Sequence, residues 1–236
     1  MIGLRAFAAL VLVMCCGLGT AAPTLRFCME CNFAGAQLAG SDFSGVNYVG
    51  ANFAGAVLTR ASFRDARLVA ANFAGADLRD VAFDASECTA CNFQGAKLDR
   101  STFTGTRMTA ANFAQFDALV SDDQLRELLA RCAACNFQSA RLAGRNLASG
   151  SLIGVDFSKA DLRGTQFDGA VICWYVMNGA QQDTKCDNLR DAQVIGASFA
   201  RVRVCSDPGD VGTCSPVSAD TLRRLSGSTL SGATLP

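Results

Sequence analysis

Cysteine is the residue type in this sequence whose spacing is best suited to chemistry. The motif Cys-x-x-Cys-Asn-Phe occurs three times, at Cys28/Cys31, Cys88/Cys91 and Cys132/Cys135. Such a pair can ligate zinc, act as a thiol–disulfide redox centre, or close a local disulfide. The sequence contains no histidine, so imidazole catalysis and the commonest metal ligand are excluded. The choice among the three chemistries depends on the elements that hold the cysteines.

A five-residue repeat sets the direction in which these cysteines point. A large apolar residue recurs every five positions from Phe33 to Phe113, and a small residue stands two positions before most of them. A spacing of five fits neither a helix nor a flat strand, so the chain is expected to turn a corner every five residues. Asn-Phe pairs recur every 20 residues from Asn32 to Asn112. Four sides therefore complete one coil, and equivalent residues stack about 4.8 Å apart.

Several repeats carry the pattern A-(D/N)-(L/F)-x-x, as in Ala76-Asp77-Leu78 and Ala160-Asp161-Leu162. By this pattern the chain resembles the pentapeptide-repeat family, over about three quarters of its length. The resemblance implies an all-β fold, a right-handed quadrilateral β-helix (a solenoid) with five residues on each side. We expect the asparagines at the 20-residue spacing to hydrogen-bond to one another along their stack.

Within such a coil both cysteines of each Cys-x-x-Cys face inward. Cys28 and Cys88 are three coils apart, about 14 Å, which is too far for a shared zinc site or a disulfide between pairs. A thiol–disulfide oxidoreductase, the redox alternative, needs a partly exposed thiol at a helix N-terminus. We therefore expect local disulfides and no metal or cofactor. The expected pairs are Cys28–Cys31, Cys88–Cys91, Cys132–Cys135, Cys173–Cys186 and Cys205–Cys214.

Interruptions of the repeat divide the chain. Ser121-Asp122-Asp123-Gln124 has the form of a capping box, and apolar residues at helical spacing follow it, which predicts a short helix near 121–131. This helix either caps the first repeat block or is looped out while the coil continues. The predicted segments are a signal peptide (1–21), a first repeat block (24–117), a helical insert or cap (118–131), a second block (132–205) with a phase break near 173–188, and a loop, short helix and terminal repeat-like segment (206–236).

The N-terminal segment predicts export. Arg5 precedes an apolar run from Ala6 to Leu18, and Gly19-Thr20-Ala21 supplies small residues for cleavage. The run is too short to span a membrane, and no later stretch qualifies. We expect a periplasmic or extracellular protein, in a compartment where disulfides persist. A lipid anchor on Cys15 or Cys16 is the alternative.

Charge and motifs exclude most function classes. The chain has 21 basic and 21 acidic residues, so nothing favours nucleic acid or a charged membrane surface. No nucleophile–base pair, phosphate-binding glycine loop or carboxylate constellation is present, so we expect no catalytic residues. Trp174 and Tyr175 form a candidate contact patch, or else pack over a coil end.

We therefore expect a non-enzymatic structural or protein-interaction module. Its partner is expected to be another protein, and a homodimer through an uncapped coil end is a further expectation. The family resemblance also implies an alternative, a DNA mimic that regulates a topoisomerase with an acidic rod. The balanced charge and the predicted export both argue against this alternative.

Overall fold

The computed structural model describes residues 26–117, 120–178, 181–205, 213–225 and 230–236. The predicted signal peptide at 1–21, with Cys15 and Cys16, lies outside these residues. Among the described residues, no helix has both the length and the apolar character that a membrane span requires.

The described chain forms a β-helix whose coils are joined by parallel bridges between residues 20 positions apart. Asn32 bridges to Asn52, and Asn52 bridges in turn to Asn72. Three further ladders of bridges run alongside, so the regular coils have four bridged positions each, at five-residue intervals. Backbone hydrogen bonds join the two coils at each bridge. At the Asn52–Asn72 bridge, Phe53 N–H donates to Asn72 O at 2.7 Å, and Asn72 N–H donates to Ala51 O at 2.8 Å. The predicted β-helix is confirmed.

The turns between bridges explain the glycines of the repeat. The second residue after each large apolar residue lies in the left-handed region, where φ is +64° at Gly55 and +65° at Gly75. Residues with side chains also hold this conformation, as Asp80 does with φ of 61°. Because glycine alone reaches this region without a steric cost, its frequency at this position follows from the geometry of the turn.

The interior is filled by one large and one small residue from each five-residue repeat. Phe53 and Phe73 are fully buried and stack with their ring centroids 5.0 Å apart. Phe63 belongs to a second phenylalanine stack and meets Phe73 edge-on at 5.5 Å. Ala71, two positions before Phe73, is also fully buried. The predicted inward ladders are confirmed, and their ring geometry is the offset and edge-to-face packing that aromatic quadrupoles favour.

Longer elements occur where the repeat is interrupted or begins and ends. The elements are β1 (Phe27–Met29), β2 (Asn47–Val49), β3 (Met108–Thr109), α1 (Asp122–Ala130), β4 (Cys132–Ala133), β5 (Val171–Asn178), β6 (Gln181–Cys186), β7 (Arg203–Cys205), β8 (Cys214–Pro216) and α2 (Ala219–Leu225). β1 pairs with β2 and β3 with β4, both in parallel. The strand order in the third sheet is β6-β5-β7-β8.

Helix α1 forms part of the wall of a longer coil. Asn112 bridges directly to Asn136, so the coil between them has 24 residues and the stack continues past the helix. The predicted capping box is present at Ser121. Leu125, Leu128 and Leu129 are buried and belong to the common hydrophobic core. The helix therefore neither ends the first block nor loops out of the coil. It replaces bridged sides of a regular coil, and its apolar face covers the hydrophobic core at that point.

One ion pair and two hydrogen bonds from arginine side chains to backbone carbonyls fix α1 and its N-terminal flank to the following coil. Arg145 places Nε 2.7 Å from an oxygen of Asp122, and its terminal nitrogen donates to Val120 O at 2.6 Å. Arg126 donates to Asn146 O at 2.8 Å and forms an ion pair with Asp123.

The predicted phase break near 173–188 coincides with a β-hairpin. Asp156 bridges to Asn188, 32 positions later, so this coil carries twelve residues more than a regular one. The additional length forms the antiparallel pair β5–β6. After β7 and β8, α2 lies against β6, and Thr234 bridges back to Ser198. The chain therefore returns to the stack at its C-terminal end.

Candidate functional site

Two of the three Cys-x-x-Cys pairs are sealed inside the β-helix. Cys88 and Cys91 are fully buried and are joined by a disulfide, with their Cα atoms 5.4 Å apart. Cys132 and Cys135 have the same Cα separation and are equally enclosed. In each pair the first cysteine takes the large-residue position of one side and the second takes the small-residue position of the next. The disulfide therefore spans the corner between two sides.

The Cys28–Cys31 pair occupies the same position in the first described coil, but it is only partly buried. The structure joins these cysteines by a disulfide, with Cα atoms 5.9 Å apart. The flanking residues Phe27 and Met29 expose 58% and 67% of their surface. This pair therefore differs from the other two in its access to solvent.

The four other cysteines within the described residues lie in the C-terminal sheet. Cys205 and Cys214 are joined by a disulfide between β7 and β8. Cys173 is disulfide-bonded, and the strand register places Cys186 opposite it. Among the described residues, no group of three or more metal-ligating side chains is arranged to hold a metal ion.

A continuous asparagine ladder runs along the outside of the first coils. Asn52 Nδ2 donates to Asn32 Oδ1 at 3.2 Å, and the same bond repeats at 3.0–3.2 Å along the stack. The Oδ1 atom of each ladder asparagine also accepts the backbone N–H of the residue two positions later, as Asn52 does from Ala54 at 3.1 Å. The predicted amide stacking is confirmed. The members of the asparagine ladder are Asn32, Asn52, Asn72, Asn92 and Asn112.

The residues that follow the ladder asparagines at the surface are uncharged, whereas the next ladder along the chain carries charged side chains. Ala54-Gly55 and Ala74-Gly75 follow the ladder asparagines. On the charged ladder Arg100 forms an ion pair with Asp80. There the hydrogen bond from the Arg79 guanidinium lowers the pKa of Asp77. A partner that binds the charged ladder must therefore desolvate ion pairs, whereas a partner that binds beside the asparagine ladder need not.

An open groove lies between α1 and the coil that follows it. Its volume is about 570 Å³, and it is lined by Arg126, Glu127, Asn146, Ser149 and their neighbours. Arg126 is already paired with Asp123 and the backbone of Asn146. The groove is therefore a concave surface whose arginine is already paired, so it presents no unpaired guanidinium to an anionic ligand.

Asp187 is a buried acid that was not predicted from the sequence. Only 2% of its surface is exposed, and its Oδ1 accepts the Val155 N–H at 3.1 Å. Its Oδ2 has no hydrogen-bond partner among the described residues. Burial raises the pKa of Asp187 well above its ordinary value, although backbone hydrogen bonds from Val155 and Gly154 oppose the shift. The available signal was its position two residues before Leu189, which the repeat reserves for a small inward residue.

The predicted contact residues Trp174 and Tyr175 lie in β5, where their backbone pairs with Lys185 and Thr184. Their side chains lie outside the described part of the structure, so the contact patch stays a prediction.

The candidate sites lie at different positions along the described coils. The Cys28–Cys31 pair lies in the first coil, the asparagine ladder follows over the next coils, and Asp187 stands beside the C-terminal sheet.

Comparison with known proteins identifies the repeat. The sequence model for pentapeptide repeats matches eight copies, within residues 49–83, 86–116 and 135–172. No curated protein matches the chain.

Solved structures similar to this chain are pentapeptide repeat proteins. A protein from the thylakoid lumen of Arabidopsis thaliana is 32% identical, over 50% of this chain and 85% of that chain, with a TM-score of 0.31. HetL, involved in heterocyst differentiation regulation in the cyanobacterium Nostoc sp., is 18% identical over 88% of this chain and 84% of that chain, with a TM-score of 0.45. QnrB1, a plasmid-mediated fluoroquinolone resistance protein, is 19% identical over 71% of this chain and 79% of that chain, with a TM-score of 0.32. With the repeat matched in eight copies and its coils present in the structure, the chain belongs to the pentapeptide-repeat family.

Proposed function

We propose that this protein is an exported, non-enzymatic rod that binds another protein along its asparagine ladder. The observation that carries the proposal is the ladder itself, in which five amide side chains are held in register by bonds of 3.0–3.2 Å. At the spacing of stacked strands, five positions extend over about 19 Å. That length suits contact with a macromolecule rather than with a small ligand.

Preorganisation favours binding at this surface. Each ladder amide is already fixed by its neighbours, so binding a partner costs little further side-chain entropy. Ala54 and Ala74 beside the ladder carry no charge, and a partner can approach without desolvating an ion pair. Each amide nitrogen has two N–H groups, and the ladder uses one of them at Asn52, Asn72, Asn92 and Asn112. These properties favour a flat, polar protein surface as the partner.

The finer geometry of the rod is part of the proposal. We take the coil as right-handed, as the family resemblance implies, and as quadrilateral, which is supported by four bridged positions in each regular coil. The disulfides are proposed to form in an oxidising compartment, the periplasm or the outside of the cell. Their role is to hold the corners and loops of the coil. Cys88–Cys91 and Cys132–Cys135 are proposed to undergo no turnover, because their sulfurs are enclosed.

Two other forms of interaction are weighed against this one. A DNA-mimic regulator of a topoisomerase needs an acidic face, whereas Asp77, Asp80 and Glu87 are each paired with arginine. A homodimer through the first coil is favoured by the exposed Phe27 and Met29. The dimer predicts a doubled mass in light scattering that Met29→Ser returns to the monomer value.

Capture of the partner tests the proposal. Tagged protein expressed at native level is crosslinked in the cell envelope and purified, in parallel with Ala74→Arg and Thr104→Arg. Ala74 lies beside the asparagine ladder, and Thr104 is the matched position on another ladder. We expect a specific partner that Ala74→Arg loses and Thr104→Arg retains. Equal recovery with both variants, or no specific partner, would contradict the proposal.

A further inference from the structure

The three Cys-x-x-Cys pairs are equivalent in sequence but not in environment. The Cys88–Cys91 pair lies between two coils, because the bridged residue Asn92 that follows it pairs with both Asn72 and Asn112. Asn136, which follows Cys135, likewise pairs with Asn112 and Asp156. Coils on both sides therefore close these sulfurs off from solvent, and all four cysteines are buried.

Within the described part of the chain, the Cys28–Cys31 pair has a neighbouring coil on one side only. Phe27, Asn32, Gln37 and Asp42 each have a single bridge partner among the described residues, and that partner always lies 20 positions later. Cys28, Cys31 and Phe33 are correspondingly only partly buried. The same disulfide that is sealed in later coils is therefore open to a reagent in the first.

We infer that Cys28–Cys31 is the Cys-x-x-Cys pair that undergoes thiol–disulfide exchange with a dithiol reductant in the folded protein. One thiolate of the reductant attacks a sulfur of the pair, breaks the S–S bond and forms a mixed disulfide. The second thiolate of the reductant then attacks the reductant sulfur of the mixed disulfide. The reductant closes an internal disulfide, and the protein sulfur is released as a thiolate. Two electrons and two protons pass to Cys28 and Cys31, which become thiols. The inference rests on the proposed disulfide state and not on the proposed partner.

The surroundings of the pair suit such a reagent. Phe27 and Met29 place exposed apolar side chains on either side of Cys28, and β1 pairs with β2 along one edge only among the described strands. An extended segment with a free edge and apolar flanks can be bound as an added strand. In this role the pair is the substrate of a reductant, and it does not act as the catalytic centre of an oxidoreductase.

Reduction is expected to loosen the first coil alone. Outside the disulfide, β1 is held by its pairing with β2 and by bonds such as Glu30 N–H to Val49 O at 2.9 Å. The coils that contain Cys88 and Cys132 are held from both sides and stay ordered. The pair thus acts as a redox-sensitive cross-link of the first described coil, since segments with few neighbouring contacts open locally before the rest of the structure.

Differential alkylation of the full chain tests the inference. Folded protein is treated with dithiothreitol, sampled over time, trapped with iodoacetamide and read by peptide mass spectrometry. We expect Cys28 and Cys31 to be labelled at least about tenfold faster than the Cys88 and Cys132 pairs. Cys28→Ala/Cys31→Ala is expected to lose this fast phase and retain the slow ones. Cys214, which is also half-buried, is followed separately through its own peptide.

The outcomes distinguish a failure of the exchange inference from a failure of the proposed disulfide state. Equal labelling rates for the three Cys-x-x-Cys pairs in the folded protein would overturn the inference alone. Purified protein with Cys28 and Cys31 already present as thiols would overturn the proposed disulfide state, and the inference with it. Amide exchange after mild reduction gives an independent measure, for which we expect faster exchange over 27–33 and unchanged exchange over 71–96.

Discussion

The phenylalanine stacks predict a position-dependent loss of stability that can be measured directly. Phe73 is fully buried, with Phe53 and Phe93 stacked at 5.0 and 5.3 Å and Phe63 and Phe83 edge-on at 5.5 Å. Phe73→Ala removes four aromatic contacts and leaves a cavity that coils on both sides hold open. Buried Phe→Ala substitutions cost about 3–5 kcal/mol, and the enclosed site places Phe73→Ala at the upper end, about 4–5 kcal/mol.

Phe33→Ala is the matched control, because Phe33 holds the same ladder position in the first described coil. Its ring stacks on Phe53 at 4.8 Å, but the side chain is only partly buried, so the expected cost is about 1–2 kcal/mol. Urea unfolding followed by far-UV circular dichroism gives both values, provided the slope of the free energy with urea is unchanged. Equal losses for the two variants would refute the claim that stacked coils on both sides supply the stability.

Two further predictions concern groups outside the regular repeat. Because burial raises the pKa of Asp187, the folded state binds a proton more tightly than the unfolded state, and stability falls as the pH rises above the unfolded pKa of about 3.9. Asp187→Asn removes this titration, so the stability of the variant relative to the natural protein is expected to improve between pH 4 and pH 7 in urea melts. A stability difference independent of pH would contradict the raised pKa of the buried carboxyl. Ser121→Ala removes the side chain that caps α1 and is expected to cost about 1 kcal/mol in the same melts, and no loss would show that the helix is held by Arg145 and its apolar face alone.

The sequence predicts the regular part of this molecule well because its period is imposed by geometry. A residue that faces inward, such as Phe73, must be apolar in every coil, and a corner residue such as Gly75 must accept a left-handed backbone. These constraints recur every 20 residues, so the ladders and the asparagine stack can be predicted from spacing alone. The capping box at Ser121 is equally local, and it is also present in the structure.

The features that sequence spacing misses are those that depend on neighbours distant in the chain. Whether α1 caps a block or closes a coil depends on the pairing of Asn112 with Asn136, across residues with no periodic signal. The burial of Asp187 depends on how the β5–β6 hairpin returns to the stack beside Val155. The difference between Cys28–Cys31 and Cys88–Cys91 depends on the number of neighbouring coils, which an identical motif does not encode.

Site-specific photocrosslinking tests whether the asparagine ladder is the surface that binds the partner. A photoreactive residue is placed at position 74, beside the asparagine ladder, and in a separate protein at position 104, on a different ladder. After irradiation in intact cells, we expect a discrete protein adduct from position 74 and none from position 104. Adducts of equal yield from both positions, or from position 104 alone, would contradict the asparagine ladder as the binding surface.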